Sequence, residues 1–355
     1  MKKILYQNVL KPILFQFSPD LVHSVFVSFG EQLAKIGLTR KIIHAVYGIP
    51  HGLDPVVVDG IKYKSPVLLA AGFDYNGRLA GILQSVGFGG EEVGSVTARP
   101  CPGNHPPRLK RLIKSQSIQV YKGLKNEGVD IIIERLKRTK IPTDFVLGIS
   151  IAKTNDEKCV TTESGIADYH YSLSKLVEAN IGDFYTINIS CPNAHGGEDF
   201  TDPEKLNLLL TKLNTLSTHK PRYVKLPINL PFSHIKNLLD VIKAHHFQGV
   251  VIGNLNKDYT AIKNLEERPQ QYRGGLSGAP CRELSNQLIS QTRAYMPEKF
   301  TIIGCGGILT PEDALEKFNR GANLVQLVSG MIFTGPQLMQ SIGSGLKKNK
   351  TNLDP

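Results

Sequence analysis

Tryptophan is absent from the 355-residue chain, methionine occurs four times and cysteine five. The five cysteines, Cys101, Cys159, Cys191, Cys281 and Cys305, are odd in number, widely spaced and without a Cys-x-x-Cys pair. That pattern argues against a disulfide framework and against a clustered metal site, so a reducing compartment and no metal are expected. No apolar run reaches the roughly 18 residues that a membrane span requires, and no small-residue cleavage site of a secretory signal is visible near the N-terminus. The expectation is a cytoplasmic protein, or one attached peripherally to the cytoplasmic face of a membrane. A nucleic-acid motif is lacking too. The net charge of +11 would suit nucleic acid, an anionic membrane or small anionic ligands, but the lysines are dispersed. The one dense group, Lys347, Lys348 and Lys350, reads as part of a solvated basic tail over residues 346–355. No nucleic-acid partner is expected.

What the chain does have is apolar material for a large core, at 41% hydrophobic and 21% charged residues. From Pro66 onward, short β-rich runs alternate with segments of helical periodicity, the pattern of parallel βαβ units. Eight such runs are read, at Val67 to Gly72, Glu91 to Thr97, Phe145 to Ala152, Phe184 to Ser190, Tyr223 to Leu226, Gly249 to Asn254, Thr301 to Gly306 and Leu324 to Ser329. Helices are read between them, for example at Ala167 to Ala179 and Pro203 to Leu216. Eight strands with crossover helices close into an α/β fold, a (β/α)₈ TIM barrel over residues 51–345. Such barrels carry their chemistry at the C-terminal strand ends and often bind phosphate after strands seven and eight. Here those ends read Gly304-Cys305-Gly306-Gly307 and Ser329-Gly330, which let backbone N–H groups approach a phosphate.

Residues 1–50 form an N-terminal apolar helical extension. Ile4, Leu5, Val9, Leu10, Ile13, Leu14, Phe15 and Phe17 precede the helix start Ser18-Pro19-Asp20, after which Leu21, Val22, Val25, Phe26, Phe29 and Leu33 recur at helical spacing. Two apolar helices are expected. Their pattern allows either ordinary packing on the barrel bottom or an amphipathic element in a membrane interface.

The stretch richest in chemistry is Asn188-Ile189-Ser190-Cys191-Pro192-Asn193, at the mouth of the fourth strand. Asparagine amides both donate and accept, so Asn188 and Asn193 can fix a flat polar ring, and a thiol beside it can remove a carbon-bound proton as general base. A buried small hydrophobe is the other reading of Cys191.

From about residue 10 to residue 342 the chain resembles the dihydroorotate dehydrogenases. The resemblance is carried by Ala70-Ala71-Gly72-Phe73-Asp74, Gly87-Phe88-Gly89, Glu92 to Thr97, Pro102-Gly103-Asn104, Pro107-Arg108-Leu109, Asn188 to Asn193, Gly274 to Gly278 and Gly304 to Ile308. It implies FMN as cofactor, dehydrogenation of a C–C bond beside a carbonyl, and reoxidation by a second acceptor. By the same resemblance Ala71, Gly72, Ser95, Ser150, Asn188, Gly278, Gly307, Ser329 and Gly330 contact FMN, although the family has asparagine at Ser150. Lys225 falls at the flavin N1/O2 edge, where a cation stabilises developing negative charge. The apolar N-terminal segment and the match at Ser18 to His23 resemble the membrane-associated, quinone-using class. His23 and Arg111 then fall at the quinone site, and the N-terminal helices become the contact with the membrane surface.

Several positions depart from that family. A family lysine that reaches substrate and flavin is Tyr75 here, a loop asparagine is Val120 within Val120-Tyr121-Lys122-Gly123-Leu124, and the threonine after Asn254 is Leu255. Lys122 is a candidate to supply the missing cation. Asn188, Asn193 and Asn254 keep part of the polar cradle, with Tyr75 and Lys122 completing the expected substrate pocket. Cys191 stands where the membrane class has serine, and a tyrosine expected near the quinone is Val328. The resemblance therefore implies oxidation of dihydroorotate to orotate in pyrimidine biosynthesis with transfer to a quinone. The alternatives are an FMN oxidoreductase acting on another dihydropyrimidine-like ring, or a flavin-binding homologue without turnover.

Overall fold

The structure is a computed structural model that describes residues 2–190, 199–271 and 273–351. All eight expected barrel strands are present, at β1 Val67–Leu69, β2 Gly90–Val96, β3 Val146–Ile151, β4 Phe184–Asn188, β5 Arg222–Leu226, β6 Gly249–Ile252, β7 Thr301–Cys305 and β8 Leu324–Leu327. They pair in parallel in the order β6-β7-β8-β1-β2-β3-β4-β5 and close on themselves. Side chains alternate across a strand, so one set of residues fills the barrel and the other meets the helices. At the N-terminal end the inward set is Leu68, Val146, Phe184, Tyr223, Val251, Ile303 and Leu324, all buried, with Tyr63 and Val58 packed beneath them. Those two come from a hairpin the sequence reading missed, Val56–Val58 with Ile61–Tyr63. Its turn residue Asp59 accepts hydrogen bonds from Tyr223 Oη and Thr301 Oγ1, both at 2.7 Å, which plugs the barrel floor.

The expected helix at Ala167 to Ala179 is longer, Thr162–Glu178, because Thr161 and Ser164 form a capping box that starts it earlier. The helix expected at Pro203 to Leu216 is Pro203–Leu213, capped by Asp202. The last helix, Gln337–Thr351, runs across the boundary drawn at residue 345. Between β1 and β2 the only regular helical element is the 3₁₀ turn Leu83–Val86. The space that a first crossover helix would fill is taken by the N-terminal extension. Val27, Leu33, Ala34 and Ile43 pack there with Leu79, Ile82 and Leu83. Gly30 permits the approach, since a Cβ on it would lie 2.6 Å from Leu79 Cδ2.

That extension has one helix more than expected. A helical run Lys2–Leu5, Tyr6–Leu10 and Lys11–Phe15, with a π turn in its middle, is followed by Pro19–Lys35, whose N-cap Ser18 accepts from Leu21 N, and then by Gly37–Tyr47. Their seat is the C-terminal end of the barrel rather than its bottom. Asp20 Oδ2 accepts from the backbone N–H of Arg108 and Leu109, Arg111 donates to Phe17 O at 2.7 Å, and Tyr6 Oη donates to Ile332 O at 2.6 Å. Arg108 to Leu112 belong to a second element the sequence reading missed. It is an antiparallel sheet of Leu109–Leu112, Ser117–Val120 and Gly275–Gly278 standing over the barrel mouth.

Candidate active site

A cavity of about 600 Å³ begins at the C-terminal ends of the strands and continues, without a break, between the N-terminal helices. Asn188, the last residue of β4 and the register partner of Lys225 on β5, organises its floor. Asn188 Nδ2 donates to Ser95 Oγ at 2.8 Å, and Ser95 Oγ meets Ser150 Oγ at 2.8 Å. On its other side Asn188 Oδ1 accepts from Ser190 N at 3.3 Å and from Asn254 Nδ2 at 3.4 Å. Asn254 Nδ2 also donates to Ser190 O and Ser190 Oγ, and that hydroxyl donates to Lys225 O at 3.0 Å. One hydrogen-bonded chain thus links residues on β2 to β5 with the loop after β6. Ser190 is a residue whose part sequence reasoning missed, although it sits inside the motif already singled out.

Lys225 is 5% exposed and lines the cavity, and its ammonium finds no acceptor among the described residues. A buried cation without an acceptor is costly unless a ligand supplies one. Gly72 faces the same space with φ +104° and no atom within 4 Å of where a Cβ would stand, leaving open backbone against which a flat group can lie. Across the cavity, Gly307 has φ +77°, and a Cβ there would lie 2.5 Å from Arg282 Cα, so only glycine brings this loop so close. Gly278 and Ser329 border the same corner, and Ser277 Oγ meets Ser329 Oγ at 2.8 Å, while Gly330, expected there as well, is not among the residues lining the cavity and faces Ile308 O. Ser277 is a second residue whose part sequence reasoning missed, although it sits inside the motif Gly274 to Gly278, because its partner lies 52 positions away. Glycine-lined backbone, two hydroxyls and a buried lysine fit an elongated ligand with a phosphate at one end and an electron-rich ring edge at the other.

Toward the N-terminal helices the wall changes character. The Tyr75 ring lies 5.0 Å from the His23 ring, tilted by 32°, and the Lys122 ammonium stands 4.3 Å from the Tyr75 centroid. His23 Nε2 lies 2.7 Å from Phe73 O, and burial holds its pKa down at about 4, so the ring is neutral at ordinary pH. Burial also lowers the Lys122 pKa to about 7. Farther along, Arg111 stacks 4.6 Å from the Phe15 ring, and Val328 and Leu255 contribute apolar lining. Of the residues expected in the site, Ala71, Gly72, Tyr75, Ser95, Lys122, Asn188, Lys225, Asn254, Gly278, Gly307, Ser329, His23 and Arg111 all line this cavity, and Ser150 lies directly behind Ser95. Cys191 and Asn193 lie outside the described residues.

The family model for dihydroorotate dehydrogenase matches residues 55–349. Among curated relatives, a dihydroorotate dehydrogenase (quinone) of Christiangramia forsetii is 33% identical over 342 residues, covering 95% of this chain and 97% of the relative. A protein of the same name from Thermosynechococcus vestitus is 33% identical over 358 residues, covering 96% of each. Among solved structures, the DHODH of Eimeria tenella in complex with ferulenol superposes with a TM-score of 0.80 at 24% identity, over 94% of this chain and 93% of that one.

Proposed function

This chain belongs to the dihydroorotate dehydrogenase family, and on that premise we propose that it oxidises dihydroorotate to orotate with bound FMN and a quinone as electron acceptor. The observation that carries the reading is one continuous cavity in which a buried Lys225, with no acceptor among the described residues, and a glycine-lined corner at one end run on into a limb between the N-terminal helices at the other. FMN, when bound, supplies reversible two-electron redox chemistry.

The residues of this chain divide the remaining work. Gly307 and Ser329 would offer backbone and hydroxyl donors to the phosphate, with Gly278 beside them and Gly330 assigned to the same task by sequence. Lys225 would stabilise negative charge on the flavin ring, and Ala71, Gly72 and Ser95, backed by Ser150, would hold that ring. Asn188 and Asn254, held in place by Ser190, present amides to the substrate's carbonyl and ring N–H groups, and Asn193 is assigned to the same task by sequence. Cys191 takes the proton from the substrate carbon next to the carboxylate-bearing carbon. The apolar limb between the N-terminal helices admits the quinone past His23 and Arg111.

Residues 1–50 then serve as entrance and as peripheral membrane contact, with 51–345 as the FMN barrel. No helix among the described residues is long and apolar enough to cross a membrane. Support for an interfacial placement comes from Leu21 and Val25, spaced by four on the Pro19–Lys35 helix and exposed outside the cavity lining, and from Leu38 and Ile42 on the next helix. A second reading, a neutral ring as substrate, is favoured by Tyr75 and Leu255 in the cavity wall.

Anaerobic titration of the purified flavoprotein with dihydroorotate tests the proposal. Stoichiometric loss of the flavin absorbance, restored by a short-chain quinone, is expected. A flavin that stays oxidised with dihydroorotate but is bleached by dihydrouracil would overturn the substrate assignment.

A further inference from the structure

Three lysines line the cavity, Lys122, Lys125 and Lys225; Lys125 is exposed to solvent, and of the two less exposed ones, neither of which meets an acceptor among the described residues, only Lys225 is accounted for by the cofactor. Lys122 is the second. It follows the Ser117–Val120 strand of the sheet over the barrel mouth, so its backbone is fixed, and Lys122 O accepts from Asn104 N at 3.1 Å. The side chain turns inward and lies against the Tyr75 ring, with the ammonium 4.3 Å from the centroid. A ring quadrupole attracts a cation but contributes only about 0.5–2 kcal/mol, well short of the several kcal/mol that withdrawing an ammonium from water costs.

The charged and titratable groups that face Lys122 are Asp20, His23 and Lys125. Asp20 is the one anion of the three, and it forms no ion pair with Lys122; its Oδ2 already receives the N–H groups of Arg108 and Leu109. Lys125 repels, and His23 is neutral. Among the described residues no counter-charge is supplied to this cation at the wall of the substrate chamber, and a ligand entering the chamber can bring one.

Resting on the proposed function, we infer that Lys122 is the specificity-determining cation of this site, receiving the carboxylate of an anionic heterocycle while Asn188 and Asn254 hold the ring's amide edge. Tyr75 becomes the platform that aims the ammonium, with His23 packed against the same ring. The substrate class follows. A planar ring bearing one carboxylate satisfies the amides and the cation together, whereas the same ring without the carboxylate leaves Lys122 unpaired. This deepens the reading above and decides against its neutral-ring variant.

The test is binding of product to the oxidised holoenzyme, read as perturbation of the flavin spectrum, with orotate and with uracil, which lacks the carboxylate. In the wild type orotate binds more tightly than uracil. Lys122→Met should weaken orotate by about 10-fold to 100-fold, the span of one charge-assisted hydrogen bond, and leave uracil unchanged. Lys122→Arg should stay within a few-fold of wild type. Unchanged uracil affinity and retained FMN show that Lys122→Met is folded.

The pH dependence adds an independent readout. Carboxylate binding favours the ammonium form, and the unliganded Lys122 titrates near 7, so orotate affinity should be greatest below that pH and fall as pH rises above it. Lys122→Met should abolish that slope. His23, titrating near 4, contributes nothing over pH 6–9. Wild-type orotate affinity in Lys122→Met overturns the inference and leaves the proposed function standing. A wild type that ignores orotate and dihydroorotate but is bleached by a neutral ring overturns both.

Discussion

Two described thiols, Cys281 and Cys305, line the cavity, and their surroundings set both apart from the base that the sequence assigns, Cys191. Cys281 is buried, donates to Leu276 O at 3.0 Å, and is pushed up to about 12 by burial. Cys305 is also raised by burial, though Lys225 and Lys317 pull it back. Neither is a competent base at neutral pH. Cys191 follows Ser190, which the Asn188–Asn254 network fixes, and a thiol with an ordinary pKa of about 8.5 is a few per cent ionised at pH 7. Cys191→Ala should therefore slow flavin reduction by dihydroorotate by roughly 10²-fold to 10⁴-fold, the usual worth of a general base, with reoxidation by quinone unaltered. Cys191→Ser should be slower than wild type and should keep its FMN. Stopped-flow resolution of the two half-reactions measures this, and a wild-type rate of reduction in Cys191→Ala would place the base elsewhere. Residue types at the site were legible in the sequence because the motif Asn188 to Asn193 keeps amides and thiol together. Tyr75 and Lys122 were also expected in one pocket, but the packing of His23 against Tyr75 was not legible, because separate segments build it and nothing in their spacing marks the encounter.

The elements show the same division. Strands of the barrel were readable because each is a short β-rich run between turn signals, and each pairs with a neighbour close in chain order. Leu109–Leu112 and Ser117–Val120 escaped notice, for Lys110 and Arg111 break the apolar pattern and the third strand of their sheet, Gly275–Gly278, comes some 155 positions later. The Gly37–Tyr47 helix escaped notice as well, with its start at Gly37 unmarked by any side-chain cap. On the helix before it, Val22, Phe26, Phe29 and Leu33 line the cavity while Leu21 and Val25 lie outside its lining and are exposed, as are Leu38 and Ile42 on the next helix. An outward residue such as Leu38, at 67% exposure, gains little from the barrel. Replacing Leu21, Val25 and Leu38 together by serine should abolish binding to lipid vesicles while changing stability by no more than about 0.5 kcal/mol per site, as for other exposed positions. Vesicle flotation with thermal melting of the same samples checks both halves. Equal flotation of the variant and the wild type would remove the interfacial role.

For the molecule as a whole, the cavity's continuity means that its two ends can be perturbed separately. Val22 lines the apolar limb far along the chain from Asn188, Asn254 and Lys122. Filling that limb with Val22→Trp should slow reoxidation by a lipophilic quinone at least tenfold and leave reduction by dihydroorotate within twofold, because the substrate's amides and cation are untouched. Stopped-flow traces with a soluble one-electron acceptor beside the quinone provide the control. Slowing of both half-reactions alike would mean that the limb is also the substrate's route.

The seat of the first helix has a consequence for the order in which the protein is made. Tyr6 donates to Ile332 O, and Gln7 donates to Phe333 O and Thr334 O, so the opening residues of the chain are held by residues that follow the last barrel strand. At roughly 5–20 residues per second, a ribosome needs tens of seconds to go from one to the other. In that interval Ile4, Leu5, Val9 and Leu10 lack the seat that the later residues provide, and they remain exposed even in the finished fold. The Lys2–Phe15 helical run is thus made well before the residues that hold it, and a lipid surface or a chaperone is a fitting cover for its apolar side chains until then.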